Sequence, residues 1–327
     1  MTRTLNIARE VWPIRGTFRI SRGSRTEAVV LVARIEHDGA KGHGECVPYA
    51  RYGESIESVM AQMESVRGLI ERGGTRAELG HALKGGAARN ALDCALWDLE
   101  AKRAGKRVWQ LAGLSEPKAI VTAFTLSVDT PANMALAAEA ARARPLLKVK
   151  LTGEGDLERV AAVRKAAPNS HLVVDANEAW DIGAYARYAP ALARLGVDLI
   201  EQPLHADRDA ALIGLTHPVP LCADESCHDR HSLPHLAGRY EAVNIKLDKT
   251  GGLTEALALR NASMVAGFKI MVGCMVGTSL SMAPAHLLAQ GTAWADIDGP
   301  LLLDRDRVPG LAYDGSSVAP GPAALWG

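Results

Sequence analysis

The chain has 327 residues, 48 % of them hydrophobic and 23 % charged, with a formal net charge of zero at pH 7. That balance fits a folded chain with a sizeable core, in one large domain or two unequal ones. It excludes the basic excess of a nucleic-acid-binding surface and the acidic excess of a solvating tail. The opening stretch MTRTLNIAREVWPIRG is broken by charges and a proline before any apolar run develops, so no signal peptide is expected. No later stretch is apolar enough to predict a membrane span. Five cysteines without a framework spacing predict a reducing, cytoplasmic setting.

In chain order, VVLVARIEHDG predicts a strand ending in a turn, and KGHGECVP a second strand entered through glycines. ARNALDCALWDLEAKRAG predicts a helix, because Leu92, Ala95, Leu96 and Leu99 recur on one face. From about residue 118 short apolar runs alternate with alanine-rich, helix-spaced segments such as DLERVAAVRKAAP. The runs are VTAFTLSV (121–128), LLKVKL (146–151), HLVVDANE (171–178), LIEQPL (199–204), LCADES (221–226), AVNIKL (242–247), KIMVGCM (269–275) and WADIDG (294–299). Eight such βα units predict a parallel TIM-like barrel. No G-x-G-x-x-G follows a strand, which argues against a dinucleotide-binding sheet. The expected organisation is α/β: an α+β unit over 1–117, a barrel over 118–300, and a segment over 301–327 returning to the N-terminal part.

In a parallel barrel the chemistry sits where strands end. Those ends carry Lys148 and Lys150, Asp175 and Asn177, Glu201, Asp224, Lys246, and Asp296 with Asp298. Period-2 alternation puts Lys148 and Lys150 on one face and Leu147, Val149 and Leu151 on the other, so the charged face is expected inside. Charge there is costly unless paired or metal-bound. Asp175, Glu201 and Asp224 stand on three successive strands and are expected to converge on one divalent cation; oxygen-only ligands suit Mg²⁺, with Mn²⁺ as the alternative. Taken singly, each acid could be only a helix N-cap, and each lysine a structural ion pair or a phosphate anchor. Cys222, Cys227, His228 and His231 match no zinc-finger spacing and are expected to be packing and loop residues.

Several segments resemble the enolase superfamily, and more narrowly its muconate-lactonizing subgroup. They are K-x-K (Lys148, Lys150), D-A-N (Asp175 to Asn177), E-Q-P (Glu201 to Pro203), A-D-E-S (Ala223 to Ser226), N-I-K-L-D-K-T-G-G (Asn244 to Gly252) and G-x-G-E (Gly42 to Glu45). The resemblance implies a modified TIM barrel, (β/α)7β, under an α+β capping domain built from the N-terminal region and the C-terminal tail. It also implies a metal on Asp175, Glu201 and Asp224, and Lys150 and Lys246 as opposed acid–base catalysts, with Lys148 beside them. The shared step is removal of a proton α to a carboxylate, giving a metal-held enediolate. Within the subgroup, S-R-G-S-R (Ser21 to Arg25), P-Y-A-R-Y-G-E-S (Pro48 to Ser55) and D-I-D-G-P (Asp296 to Pro300) are most similar to the L-Ala-D/L-Glu dipeptide epimerases. That similarity implies a dipeptide as the small-molecule partner, in reuse of cell-wall peptides, and leaves a homo-oligomer open. Asp296 and Asp298 would meet the substrate ammonium, and Arg25 its side-chain carboxylate, with Arg22 competing for that role. Thr125 would bond the same region, Cys274 would touch substrate through backbone, and Asn177 would support the metal residues. Gly277 stands where many subgroup members carry a glutamate. That departure weighs against a cycloisomerase or succinylbenzoate synthase; these, an N-acylamino-acid racemase and a non-catalytic metal-binding barrel are the alternatives.

Overall fold

The structure, a computed structural model, describes residues 3–327. Its N-terminal layer is an antiparallel sheet of Thr4–Ile20, Gly23–His37 and Ala40–Cys46. The turn between the last two strands carries Asp38 and Gly39 at φ 51° and 80°, the left-handed pair that a tight hairpin needs. Alternation divides the central strand between two cores. Leu31, Ala33 and Ile35 pack against helices, while Val30 and Val32 join the core continuous with the barrel. A sheet buried on both faces reads as an unbroken apolar run, which is why VVLVARI shows no polar stripe.

The helix Ala87–Ala104 crosses this sheet. Its expected face, Leu92, Ala95, Leu96 and Leu99, lies in the cap core, whereas Cys94, Trp97 and Ala101 belong to the barrel-side core. The helix is therefore covered on nearly every side. Gly42 and Gly44 explain how closely it docks: a Cβ on either would stand 2.1 Å from the carbonyl oxygen of Ala95 or Ala91, respectively.

Eight parallel strands form the barrel: Phe124–Leu126, Leu146–Lys150, His171–Asp175, Val197–Glu201, Leu221–Ala223, Ala242–Ile245, Lys269–Gly273 and Trp294–Asp296. Each is hydrogen-bonded to the next in chain order, and the Ala123 amide donates to the Ala295 carbonyl (2.8 Å) where first meets last. The expected run over 121–128 is split. Ile120–Val121 leaves the barrel to pair with Ser317–Val318 of the C-terminal segment, and only Phe124–Leu126 stays in the wall. The barrel interior is apolar at its lower end, where Ala123, Leu146, Val173, Leu199, Cys222, Ala242 and Met271 cluster. Leu147, Val149 and Leu151 point outward to the helices, leaving the lysines inside. Cys227 packs in the outer core and Cys222 in the inner one, so they do not share a site.

Polar contacts bind cap to barrel. Asp248 Oδ1, just past the sixth barrel strand, accepts from Asn90 Nδ2 (2.8 Å) and the Val47 amide (3.1 Å). Asp93 accepts from the Thr254 hydroxyl (2.6 Å) and amide (2.9 Å). Gly252 lies at φ 108°, and a Cβ there would fall 2.5 Å from Asp93 Cβ, so the G-G of the motif is a packing requirement. The C-terminal end returns to the same helix: Trp326 Nε1 donates to the Cys94 carbonyl (3.0 Å) and the Gly327 amide to Asp98 (2.7 Å).

Two stability predictions follow from these contacts. Gly44→Ala must push the long helix off the sheet and is expected to cost about 2 kcal/mol or more, read from denaturant melts. Burial, opposed by the bonds from Asn90 and Val47, raises the Asp248 carboxyl from 3.8 to about 7. Its ionisation therefore opposes folding, with a penalty that grows as pH rises from about 4 to 7 and stays full above. Asp248→Asn should be increasingly stabilising relative to wild type across that window, measured by thermal unfolding; a pH-independent difference would refute this.

Candidate active site

A cavity of about 410 Å³ lies between the cap and the open end of the barrel. Ile14, Phe18, Ile20, Arg22 and Arg25 of the first hairpin line one side, and Tyr49, Arg51 and Tyr52 of the loop after the third cap strand another. The barrel contributes Lys150, Asn177, Asp224, Glu225, Lys246, Cys274, Met275 and Val276. Lys148, Asp175, Glu201, Asp296, Asp298 and Thr125 are buried nearby without lining it.

Adjacent strand ends bring the charges together by register: Lys150 stands opposite Asp175, Asp175 opposite Glu201, and Thr125 opposite Lys148. Lys148, 1 % exposed, puts its ammonium 2.6 Å from Glu201, 2.8 Å from Asp296 and 3.2 Å from Asp175. Lys150 pairs with Asp175 (2.6 Å) and Lys246 with Asp224 (2.7 Å). Among the described residues no three acidic, imidazole or thiol side chains are grouped to hold an ion, and Asp175 and Glu201 meet instead on the Lys148 ammonium. Ammonium groups stand between them, because buried carboxylates must be neutralised by whatever cation is at hand.

The electrostatics show the same competition. Burial favours neutral Asp175 and Asp224, but Lys150 with Lys148, and Lys246 with Lys249, hold them below the ordinary carboxylate range. Burial opposes the charge on Lys148 and Lys246, yet the surrounding carboxylates raise both. Glu201 is pushed up to about 7 by burial and by the Asp175 charge. Glu225 rises to about 7 by burial and the Asp224 charge, and Asp298 to about 7 by burial and the Asp296 charge. Negative charge exceeds what the lysines can match. Asn177 Oδ1, Glu225 Oε2 and Asp296 Oδ1 are buried without a hydrogen-bond partner, and Glu201 Oε2 has only the ion pair to Lys148. This oxygen-rich, under-neutralised set fits a hard divalent cation.

Two expected pairs separate. Asp296 ends the last strand, but Asp298 lies just before the short helix Gly299–Leu302, and its Oδ2 accepts from the Thr125 backbone amide (2.6 Å). Asn177, at φ 45°, turns out of its strand, and its amide donates to Asp175 Oδ1 (2.9 Å). The two arginines also differ. Arg22 donates to the Asn177 carbonyl (3.0 Å) and Tyr49 hydroxyl (3.1 Å) and pairs with Glu225 (2.8 Å) and Glu178 (3.4 Å). Arg25 rests over the Tyr49 ring, 5.6 Å from its centre, with no ion pair among the described residues. Arg51 is engaged by Glu178. Sequence reasoning passed over Glu225 and Lys249, although both lie inside motifs it used; their signal is adjacency to Asp224 and Lys246.

The C-terminal part matches the enolase C-terminal domain-like family over residues 133–306, and the N-terminal part the mandelate racemase/muconate lactonizing enzyme N-terminal domain over 2–113. The chain belongs to this family, within the enolase superfamily. It is 50 % identical to the L-Ala-D/L-Glu epimerase of Escherichia coli strain K12, over 95 % of this chain and 98 % of that one. It is 48 % identical to an N-acetyl-D-glutamate racemase of a Pseudoalteromonas species, over 91 % and 94 %. An enolase family member of Agrobacterium tumefaciens with homology to dipeptide epimerases, solved with sodium and L-Ala-L-Glu, superposes with a TM-score of 0.98 at 52 % identity, covering 99 % of this chain and all of that one. The homologues are epimerases and racemases.

Arg22 fastens the first hairpin to the barrel, whereas Arg25 has only the Tyr49 ring. Arg22→Met is therefore expected to lower the unfolding midpoint by removing bonds to buried groups, a cost of about 2 kcal/mol. Arg25→Met should stay within about 0.5 kcal/mol of wild type. Equal effects in thermal melts would contradict the assignment.

Proposed function

We propose that the protein is a dipeptide epimerase that inverts the α-carbon of the glutamate residue in L-Ala-D/L-Glu, in reuse of cell-wall peptides. The observation that carries this reading is the pair Lys150 and Lys246, both lining the cavity from strands on opposite sides of the carboxylates. Asp175, Glu201 and Asp224 would hold Mg²⁺, with Mn²⁺ as the alternative, which when bound supplies a Lewis acid for the substrate carboxylate. Lys150 and Lys246, bonded to Asp175 and Asp224, stand beside the residues that would hold the ion, one on either side of them. One of them, neutral, takes the α-proton on its face; the other, still an ammonium, returns a proton to the opposite face, and the configuration inverts.

The remaining assignments complete the site. Asp296 keeps a free buried oxygen for the substrate ammonium, and Arg25 is the unpaired guanidinium for the glutamate side chain. Asn177 supports Asp175, Asp298 and Thr125 brace the substrate end of the barrel, and Cys274 bounds the cavity. The cap and tail, assigned to 1–117 and 301–327, close a barrel assigned to 118–300. No helix among the described residues is long and apolar enough to cross a membrane, and all five cysteines are free, which suits the proposed cytoplasmic setting. N-acylamino-acid racemisation is the second reading. Asp298 is occupied by the Thr125 amide, so the ammonium site is less acidic than two free carboxylates would make it.

Incubation with Mg²⁺ and L-Ala-L-Glu in D₂O should place deuterium on the glutamate α-carbon; absence of exchange with every Ala-Xaa dipeptide would sink the proposal. Lys150→Ala and Lys246→Ala should each abolish epimerisation while sparing exchange from opposite epimers. Arg25→Met should raise KM for L-Ala-L-Glu about tenfold or more, with a smaller effect on kcat. Faster turnover of N-acetylglutamate, insensitive to Asp296→Ala, would favour the second reading.

A further inference from the structure

Lys249 sits three residues beyond Lys246, in the short helix Leu247–Thr250, and is 3 % exposed. It does not line the cavity. Its ammonium meets the Asp224 carboxylate at Oδ1 (2.6 Å), the Asp224 carbonyl (2.5 Å) and the Asn244 carbonyl (2.9 Å). An ammonium has three protons, and here each has its own acceptor. Lys246 meets the same carboxylate at its other oxygen, Oδ2 (2.7 Å), and does line the cavity. Two lysines thus divide one carboxylate, one from the cavity and one from behind.

The two contacts differ in what holds them. Lys246 has Asp224 as its single bonded partner among the described residues, so a cation arriving at Oδ2 displaces one contact. Releasing Lys249 would break three contacts at once, two of them to backbone carbonyls at the ends of the fifth and sixth strands. We propose that Lys249 is a positioning residue that holds Asp224 Oδ1 permanently, so that Asp224 offers one oxygen, Oδ2, alternately to Lys246 and to the cation. It thereby makes cation binding and release of Lys246 a single exchange. The inference rests on the metal-assisted reading above, and it extends that reading to a residue outside the cavity.

A crystal structure of the wild-type protein with Mg²⁺ tests this without any variant. Lys249 should keep all three contacts, and Lys246 should have left Oδ2. Bidentate Asp224, or loss of the Lys249–Oδ1 contact, would overturn the proposal. Calorimetric titration of Mg²⁺ into the substrate-free protein gives a second readout, which holds even where the dipeptide assignment fails. Lys249→Met, similar in length and uncharged, should weaken Mg²⁺ binding by about 10–100-fold. Lys249→Arg, which retains charge and donors, should recover part of that loss. In D₂O, Lys249→Met should slow exchange of the epimer deprotonated by Lys246 more than that of the epimer deprotonated by Lys150. Unchanged metal affinity in folded Lys249→Met, or equal slowing of both epimers, would reduce Lys249 to a structural role and overturn the inference.

Discussion

The open end of the barrel is governed by buried charge. Six buried carboxyl groups, Asp175, Glu201, Asp224, Glu225, Asp296 and Asp298, share it with four buried ammonium groups, Lys148, Lys150, Lys246 and Lys249. Leaving any of these ions unpaired would cost several kcal/mol, more than most single contacts in the fold can return. Lys148 carries the largest share of the balance, reaching acids on the third, fourth and eighth strands from its place on the second. Such a reach is available only inside a closed parallel barrel, where strand ends face one another across a short interior. The apolar layer beneath then keeps water from entering from the far end.

The cap answers a different requirement. A charge cluster open to bulk water would be screened and its pKa shifts lost. The three-stranded sheet closes the mouth, and because its central strand is buried on both faces it needs the helix Ala87–Ala104 above it. Gly42 and Gly44 permit that contact. Arg22 then ties the hairpin to Asn177 after the third barrel strand and to Glu225, while Arg51 ties the loop after the third cap strand to Glu178. The loops that determine what enters the cavity are thus fastened by ions at its rim, leaving Arg25 unpaired among the described residues.

Much of this was legible in the sequence because barrel strands are short apolar runs with polar ends. Lys148 and Lys150, two residues apart among leucines and valines, could only face the interior. The hairpin strand Thr4–Ile20 was not legible. Most of it is exposed or half-buried and it contains Pro13, so its strand character comes from pairing with Gly23–His37 rather than from its own pattern. Arg22 and Arg25 were indistinguishable for a related reason: the Asn177 carbonyl that claims Arg22 is 155 residues away. Asp296 and Asp298 looked equivalent by period two, but the strand ends at Asp296 and the Thr125 backbone takes Asp298. That Asp175, Glu201 and Asp224 would share the barrel mouth was legible from their strand ends; that Lys148, Lys150 and Lys246 would bond to them was not.

That last difference bears on how such a site could be loaded. The residues that would hold a cation are already buried and bonded to ammonium groups rather than lining a solvated cup. The carboxylates are desolvated during folding, with lysines as temporary counter-ions, so little new desolvation of the protein accompanies binding. Any such exchange would fall on the contacts of Lys150 with Asp175 and of Lys246 with Asp224. A lysine that has lost its carboxylate beside a divalent cation is pressed toward its neutral, basic form. One set of ion pairs therefore neutralises the buried acids and holds the two cavity lysines at the residues proposed to bind the ion.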